Sequence, residues 1–416
     1  MTSLPPRLAK AQIPEFVLET CRTLQQAGHQ AFLVGGCVRD LLSGRKPKDY
    51  DVTTSAKPEV VLGLFPKTVP TGIQHGTVTV VKRDGIVEVT TFRGEGAYSD
   101  GRRPDQVFYL EEIEGDLARR DFTMNAIAFD PARGGLVDPF GGATDLGAKL
   151  VRCVGKADER FGEDGLRPLR AVRFVSVLRF KLDPETKAAI GRALPTYAKV
   201  AQERVSDELR KLLVGPRPSV GLALLAETGL ASRILPALSS ETEAERQVRL
   251  RRVNFVPRRY VLRLAALFRG HTERLEEMKL PNDVIQHAAH LDRFRVPLGA
   301  SVSDAELRRF VSQVGLAKLH DVLVMERAEL GARNDRDGLK SLAQTRGRLK
   351  DLLAQKPPLT IGELALNGNQ VAEVLGGKGP KVGQALRKLL DAALDDPSQN
   401  TAERLKALLL KPGFVS

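Results

Sequence analysis

Tryptophan is absent from the 416 residues, tyrosine occurs five times, and aromatic residues make up 5% of the chain. So few rings exclude a surface of stacked aromatic platforms, the usual grip on single-stranded nucleic acid. Cysteine is scarcer still. Cys21, Cys37 and Cys153 stand far apart, with neither a disulfide framework nor a metal-ligand spacing. They read as reduced thiols of a cytoplasmic protein. No apolar run approaches the roughly 20 residues of a membrane span, and Met1-Thr2-Ser3-Leu4-Pro5-Pro6 lacks the charged-then-apolar layout of a secretory signal. The expectation is a cytoplasmic chain with no membrane partner.

What the chain has in plenty is positive charge: 64 Lys and Arg against 51 Asp and Glu, a formal charge of +13 and a pI near 9.7. That is the electrostatic footprint of a protein with a polyanionic partner. With aromatics so sparse, a structured RNA recognised through backbone and shape fits better than a single strand held by stacking; DNA is not expected as a partner. A generally basic surface is the alternative reading of charge alone. The length implies more than one packing unit, and 42% hydrophobic content is ample for their cores.

The stretch with the densest chemistry is Leu33-Val34-Gly35-Gly36-Cys37-Val38-Arg39-Asp40, running on to Lys48-Asp49-Tyr50-Asp51-Val52-Thr53-Thr54. Residues 31–34 read as a buried strand and residues 38–42 as the start of a helix. Between them Gly35 and Gly36 would let a bulky anion approach backbone N–H groups, with Arg39 adding a forked charge for phosphate. Asp49 and Asp51, at i and i+2 of a second strand, would share a face about 6.6 Å apart. Two such carboxylates repel unless a cation lies between them. Mg²⁺, which takes carboxylate oxygens while bridging nucleotide phosphates, is the natural choice. A tight turn and a solvated strand end are the alternatives if either motif is taken alone.

Helical spacing marks residues 13–28 and 57–65, and strand alternation marks 77–81 and 87–92, joined by a turn at Asp84-Gly85. Glu88 stands on the latter strand, where a third carboxylate would act as base on an attacking hydroxyl or help hold metal; a solvent-facing residue is the alternative. Residues 94–104, glycine-rich and charged, read as a mobile loop. Then come Leu117-Ala118-Arg119-Arg120-Asp121-Phe122-Thr123-Met124-Asn125-Ala126 and Asp138-Pro139-Phe140-Gly141-Gly142-Ala143-Thr144-Asp145-Leu146. Asp121 and Thr123 also suit capping of a following helix.

In Gly162-Glu163-Asp164-Gly165-Leu166-Arg167-Pro168-Leu169-Arg170-Ala171-Val172-Arg173, Asp164 and Arg167 are expected as neighbours on one helix. A surface ion pair is one reading. The other follows from donor and acceptor chemistry: a carboxylate accepts from an amino group while Arg donates to ring nitrogen or carbonyl, so the pair suits the Watson–Crick edge of C or A. Arg170 and Arg173 continue the row at i+3, although Pro168 puts that pitch in question. From about residue 183 the chain reads as helices. Residues 246–259 and 340–350 are basic runs, either RNA-facing or solvated helix faces. His287 and His290 read as surface or packing residues.

The order of these motifs resembles the nucleotidyltransferase superfamily, and more closely the class II branch of CCA-adding tRNA nucleotidyltransferases and bacterial poly(A) polymerases. The resemblance covers residues 30–213. It implies an α+β fold, with a nucleotidyltransferase-type mixed-sheet head (1–150) followed by an all-helical neck with a nucleobase template (151–215), a helical body (216–335) and a helical, tRNA-binding tail (336–416). It further implies Mg²⁺ on Asp49 and Asp51, nucleotide contacts from Gly35, Gly36, Arg39, Arg120, Asp121, Asn125, Arg170 and Arg173, and base selection by Asp164 and Arg167. Activity would be stepwise addition of CTP, CTP and ATP to tRNA 3′ ends. The segment around His75 and the 94–104 loop favour this over A-only addition or poly(A) synthesis. A catalytically idle RNA-binding module would have lost Asp49 or Asp51.

Overall fold

The computed structural model describes residues 4–95 and 107–414, which group into two units, Met1–Ser240 and Glu241–Ser416. In the first, the strands in chain order are β1 (Ala31–Val34), β2 (Asp51–Thr54), β3 (Thr68–Gly72), β4 (Thr77–Lys82), β5 (Gly85–Thr91), β6 (Arg93–Glu95), β7 (Val107–Tyr109), β8 (Ala128–Asp130) and β9 (Gly135–Val137). Seven form one mixed sheet in the order β3-β4-β5-β2-β1-β8-β9. All its pairings are antiparallel except β2 with β5. The β4–β5 hairpin forms, with its turn one residue earlier than expected: Arg83 and Asp84 make the turn, and Gly85 opens β5 opposite Lys82.

Two registers decide where chemistry can happen. Val34 lies opposite Asp51 and Asp51 lies opposite Glu88, so the end of β1, the start of β2 and the middle of β5 meet. Alternation along β1 sends side chains to both faces of the sheet. Leu33 packs with Val52, Val78, Val80, Val87 and Val89, and with Val17, Cys21 and Leu24 of the Glu15–Gln26 helix. Val34 packs instead with Phe92, Leu117, Ala126 and Val154 on the other side.

Helices predominate after the head. The neck is not all helical as expected: Leu150–Val151, at the boundary between head and neck, pair in parallel with Lys181–Leu182; beyond residue 182 the described residues contain no strand. The second unit is helical throughout, and two of its helices, Glu243–Phe255 and Asp304–Val314, open on capping boxes at Thr242/Glu245 and Ser303/Glu306. Its C-terminal helices close over Leu366, Val371, Leu389 and Leu405. Among the described residues no helix is long and apolar enough to cross a membrane.

Leu33 has no exposed surface and lies under the strand end that carries the site. Leu33→Ala is expected to destabilise the first unit by about 2–5 kcal/mol, read as a lowered urea midpoint.

Candidate active site

Gly35 follows β1 with φ of 72°, a left-handed conformation that penalises any side chain, and the Gly36–Leu42 helix starts at once behind it. Space at Gly35 is tight as well. A Cβ there would stand 3.0 Å from Arg120 Nη1 and 4.0 Å from Asp51 Oδ2. The turn is therefore a cradle whose walls are a guanidinium and a carboxylate.

Sequence reasoning placed Asp49 and Asp51 on one strand. The strand begins only at Asp51; Asp49 lies in the bend before it, exposed, while Asp51 is half-buried. Proline and glycine at 44–47 prolong the turn, and β1 offers no pairing partner beyond Val34. The two carboxylates still interact. Burial pushes the Asp51 carboxyl above the usual carboxylate range, Glu88 and Asp49 push it the same way, and Arg120 partly opposes them. Glu88 is exposed on β5. Crowded oxygens of this kind suit a hard divalent cation. Asp49, Asp51 and Glu88 do not make a three-ligand metal group; none exists among the described residues. The donor set fits an ion that takes its remaining ligands from phosphate and water.

Beside the cradle lies a chain of polar contacts. Arg39 Nη1 donates to Asn125 Oδ1 (2.9 Å), Asn125 Nδ2 donates to Asp121 Oδ1 (3.1 Å), and Arg170 Nε donates to Asp121 Oδ2 (2.8 Å). Asp121 also accepts from the Phe122 N–H at 2.8 Å. The helix expected after it is a single 3₁₀ turn, Thr123–Asn125, and Thr123 instead donates to Asp145 (2.7 Å), joining that turn to the Asp138–Leu146 motif. Arg39, Arg170 and Arg173 all lie against the ring of Phe174, at 5.5, 5.7 and 3.9 Å from its centroid. Phe122 meets that ring edge-on at 5.6 Å.

Three residues that sequence reasoning did not single out anchor this row. Asp116, fully buried, accepts from Arg119 and Arg120 (2.7 and 3.0 Å). Burial alone would raise its pKa, but the two guanidiniums outweigh it and hold the carboxyl below its usual range. Arg120 Nε is left buried without a partner, a donor awaiting an acceptor. Glu208 binds Arg173 and accepts from Lys211 Nζ at 2.9 Å. Arg204 Nη2 donates to Asp164 Oδ2 at 2.8 Å. Arg204 and Glu208 are four apart in Gln202–Leu213 and share a helix face, a spacing that the sequence does show.

Asp164 and Arg167 do not lie on one helix. Asp164 is the extended residue that ends Ala157–Glu163, and Arg167 starts Arg167–Leu178. Pro168 thus falls in the first turn, where it costs no hydrogen bond, and Arg170 and Arg173 keep their pitch. Gly165 permits the break: a Cβ there would be 2.5 Å from the Thr196 carbonyl oxygen. Asp164 Oδ1 accepts from the Leu166 N–H (3.0 Å), while Arg167 is buried, donating to the carbonyls of Arg160 and Arg119 (both 2.8 Å) and pairing with Glu163. His75 belongs to the turn before β4, where its carbonyl accepts from Arg93. Residues 96–104 of the expected loop lie outside the described residues.

A glycine turn, clustered carboxylates and converging arginines on a mixed sheet define a nucleotidyl-transfer head. Residues 31–152 match the family model described as the poly(A) polymerase head domain, and residues 179–242 the one described as the probable RNA- and SrmB-binding site of polymerase A. The chain is 41% identical to the CCA-adding enzyme of Geobacillus thermodenitrificans, over 94% of this chain and 95% of that one, and 40% identical to that of Geobacillus kaustophilus, over 95% and 96%. A crystal structure of the Bacillus stearothermophilus CCA-adding enzyme in complex with CTP superposes with a TM-score of 0.77, at 37% identity, covering 96% of this chain and 98% of that one. The chain belongs to the family of CCA-adding enzymes.

Glu208 generates a pH prediction. Burial raises its carboxyl pKa, but Arg173 and Arg170 more than offset this, so the folded value is below the unfolded one. Its contribution is then complete above the ordinary glutamate pKa and lost as pH falls through the folded value. Glu208→Gln is expected to cost about 3–5 kcal/mol at pH 7 and to flatten the fall in stability below about pH 4.5, measured by urea unfolding across pH.

Proposed function

We propose that this CCA-adding enzyme extends tRNA 3′ ends by CTP, CTP and ATP in turn, without a nucleic-acid template, and releases pyrophosphate at each step. The observation that carries the reading is the convergence of Gly35, Asp51 and Arg120 within one cradle, with Glu88 in register beside it. Mg²⁺ held by Asp49 and Asp51 would supply Lewis acidity at the α-phosphate and at the attacking 3′-hydroxyl. The backbone at Gly35 and Gly36 takes the triphosphate, whose oxygens also accept from Arg39, Arg120, Arg170 and Arg173. Asp121 and Asn125 hold Arg39 and Arg170 in place beside the ribose. Glu88, exposed and opposite Asp51, is positioned to accept the proton of the attacking hydroxyl.

Asp164 and Arg167 choose the base, one accepting from its exocyclic amine and the other donating to its ring edge. To do so they exchange part of their present pairing with Arg204 and Glu163 for the nucleotide. The head is assigned residues 1–150, the neck 151–215, the body 216–335 and the tail 336–416, the last contributing tRNA contacts. A cytoplasmic setting agrees with three cysteines that are free and buried.

The test is a set of tRNAs ending at the discriminator base, at C and at CC, incubated with Mg²⁺ and CTP, ATP or both, followed by sequencing of the 3′ ends. Complete CCA on the bare end is expected; A added only to CC ends, or long A tails, would overturn the proposal. Asp49→Ala or Asp51→Ala should lower incorporation about a thousandfold or more while tRNA affinity in a filter assay changes less than about threefold. Asp164→Asn should misincorporate ATP at CTP positions with the fold retained, and unchanged selectivity would remove it from the template.

A further inference from the structure

The basic run 246–259 does not lie wholly on the surface. Arg249 and Arg252 are buried on the Glu243–Phe255 helix and, with Arg269, Arg295 and Arg333, line a cleft of about 780 Å³ in the second unit. Helical periodicity explains the expectation and its failure: three-residue spacing puts both arginines on the face that packs against Leu316–Ala332.

Some of these guanidiniums are well supplied. Arg249 pairs with Glu241 and donates to the carbonyls of Leu267 and Arg269. Arg252 pairs with Glu329 and donates to the Ala266 carbonyl at 3.2 Å. Arg269 is not. Its side chain is 7% exposed, the oxygens of Glu326 and Glu329 are each 3.6 Å away, and its Nη1 is buried without a partner. At 3.6 Å those contacts are ion pairs without hydrogen bonds. Glu329 is moreover shared among Arg252, Arg269 and Arg333. Burial pushes Arg252 down to about 10, and burial together with Arg295 pushes Arg269 down as well, as expected where positive charge is under-compensated.

An acceptor is also left over. Glu241 Oε2, on the same cleft, is buried without a hydrogen-bond partner. An occupant must therefore bring acceptors for arginine and a donor for a carboxylate. A metal ion offers no acceptor to arginine, and none of the described residues form a metal-holding group. A fully ionised anion such as sulfate meets only the first.

We infer that this cleft binds a protonated phosphate group, as hydrogen phosphate or a phosphate monoester. Its oxygens accept from Arg269 and from the rim residues Arg295 and Arg333, whose side chains are 51% and 61% exposed, and its P–O–H donates to a glutamate. The site uses none of the head's residues. It is a second phosphate site on the chain, selective for phosphate over sulfate and for monoesters over the diesters of a nucleic-acid backbone.

The test is amide hydrogen exchange of the full chain at constant ionic strength, with inorganic phosphate, methyl phosphate, dimethyl phosphate or sulfate added. Phosphate is expected to slow exchange in 243–255 and 316–332 saturably; methyl phosphate doing the same means that free phosphate and monoester termini are both ligands, and inorganic phosphate alone restricts the site to the free ion. Arg333→Gln, at the exposed rim where folding is safe, should raise the half-saturating concentration about tenfold, Arg269→Met should abolish the effect, and Glu241→Gln should narrow the preference over sulfate. No protection in those helices, equal protection by sulfate or dimethyl phosphate, or protection unchanged in Arg333→Gln would overturn the assignment.

Discussion

The ion pair between Asp121 and Arg170 is the contact on which the first unit's chemistry depends. Asp121 comes from the bend after the Ile113–Ala118 helix, Arg170 from the Arg167–Leu178 helix, and the carboxylate is buried. A charge so placed costs several kcal/mol in lost hydration unless every lone pair is used. Here it is used by Arg170, Asn125 and the Phe122 amide. Burial therefore allows few arrangements of the surrounding strands and helix, and the one that satisfies Asp121 also brings Arg39 and Arg170 to the same ring.

Phe174 shows how like charges are kept together. Three guanidiniums against one ring would repel one another, but the quadrupole of the face attracts each of them, and Asp121, Glu208 and Asn125 hold them at their outer ends. The result is a positive surface fixed before any ligand arrives. Preorganised charge of this kind loses little in reorganisation when a polyphosphate binds.

Much of this was legible from residues. The β1 strand, the glycine turn, the β4–β5 hairpin and the Glu15–Gln26 helix follow from local pattern, whereas the grouping of Gly35, Asp51 and Arg120 was implied only by the family resemblance. What local pattern missed is decided by partners far along the chain. Asp116 is an ordinary acid in a short helix until burial makes it the anchor of Arg120; Glu208 and Arg204 are typical surface residues of a charged helix until the Arg167–Leu178 helix packs on them. The break at Gly165 was hidden because the reason for it, the Thr196 carbonyl, lies 31 residues away in sequence. The inward arginines at 249 and 252 escaped notice for the opposite reason: charge suggested surface, while their three-residue spacing put both on the buried face.

Position 35 carries a consequence at the level of the gene. Conformation at Gly35 penalises any side chain, and the neighbouring Arg120 guanidinium would have to shift to make room for a Cβ. Every codon one nucleotide away from a glycine codon, other than a synonymous one, specifies a side chain or a stop. The position therefore has no harmless amino-acid neighbour within a single mutational step, and drift at this codon can proceed only through its silent third base.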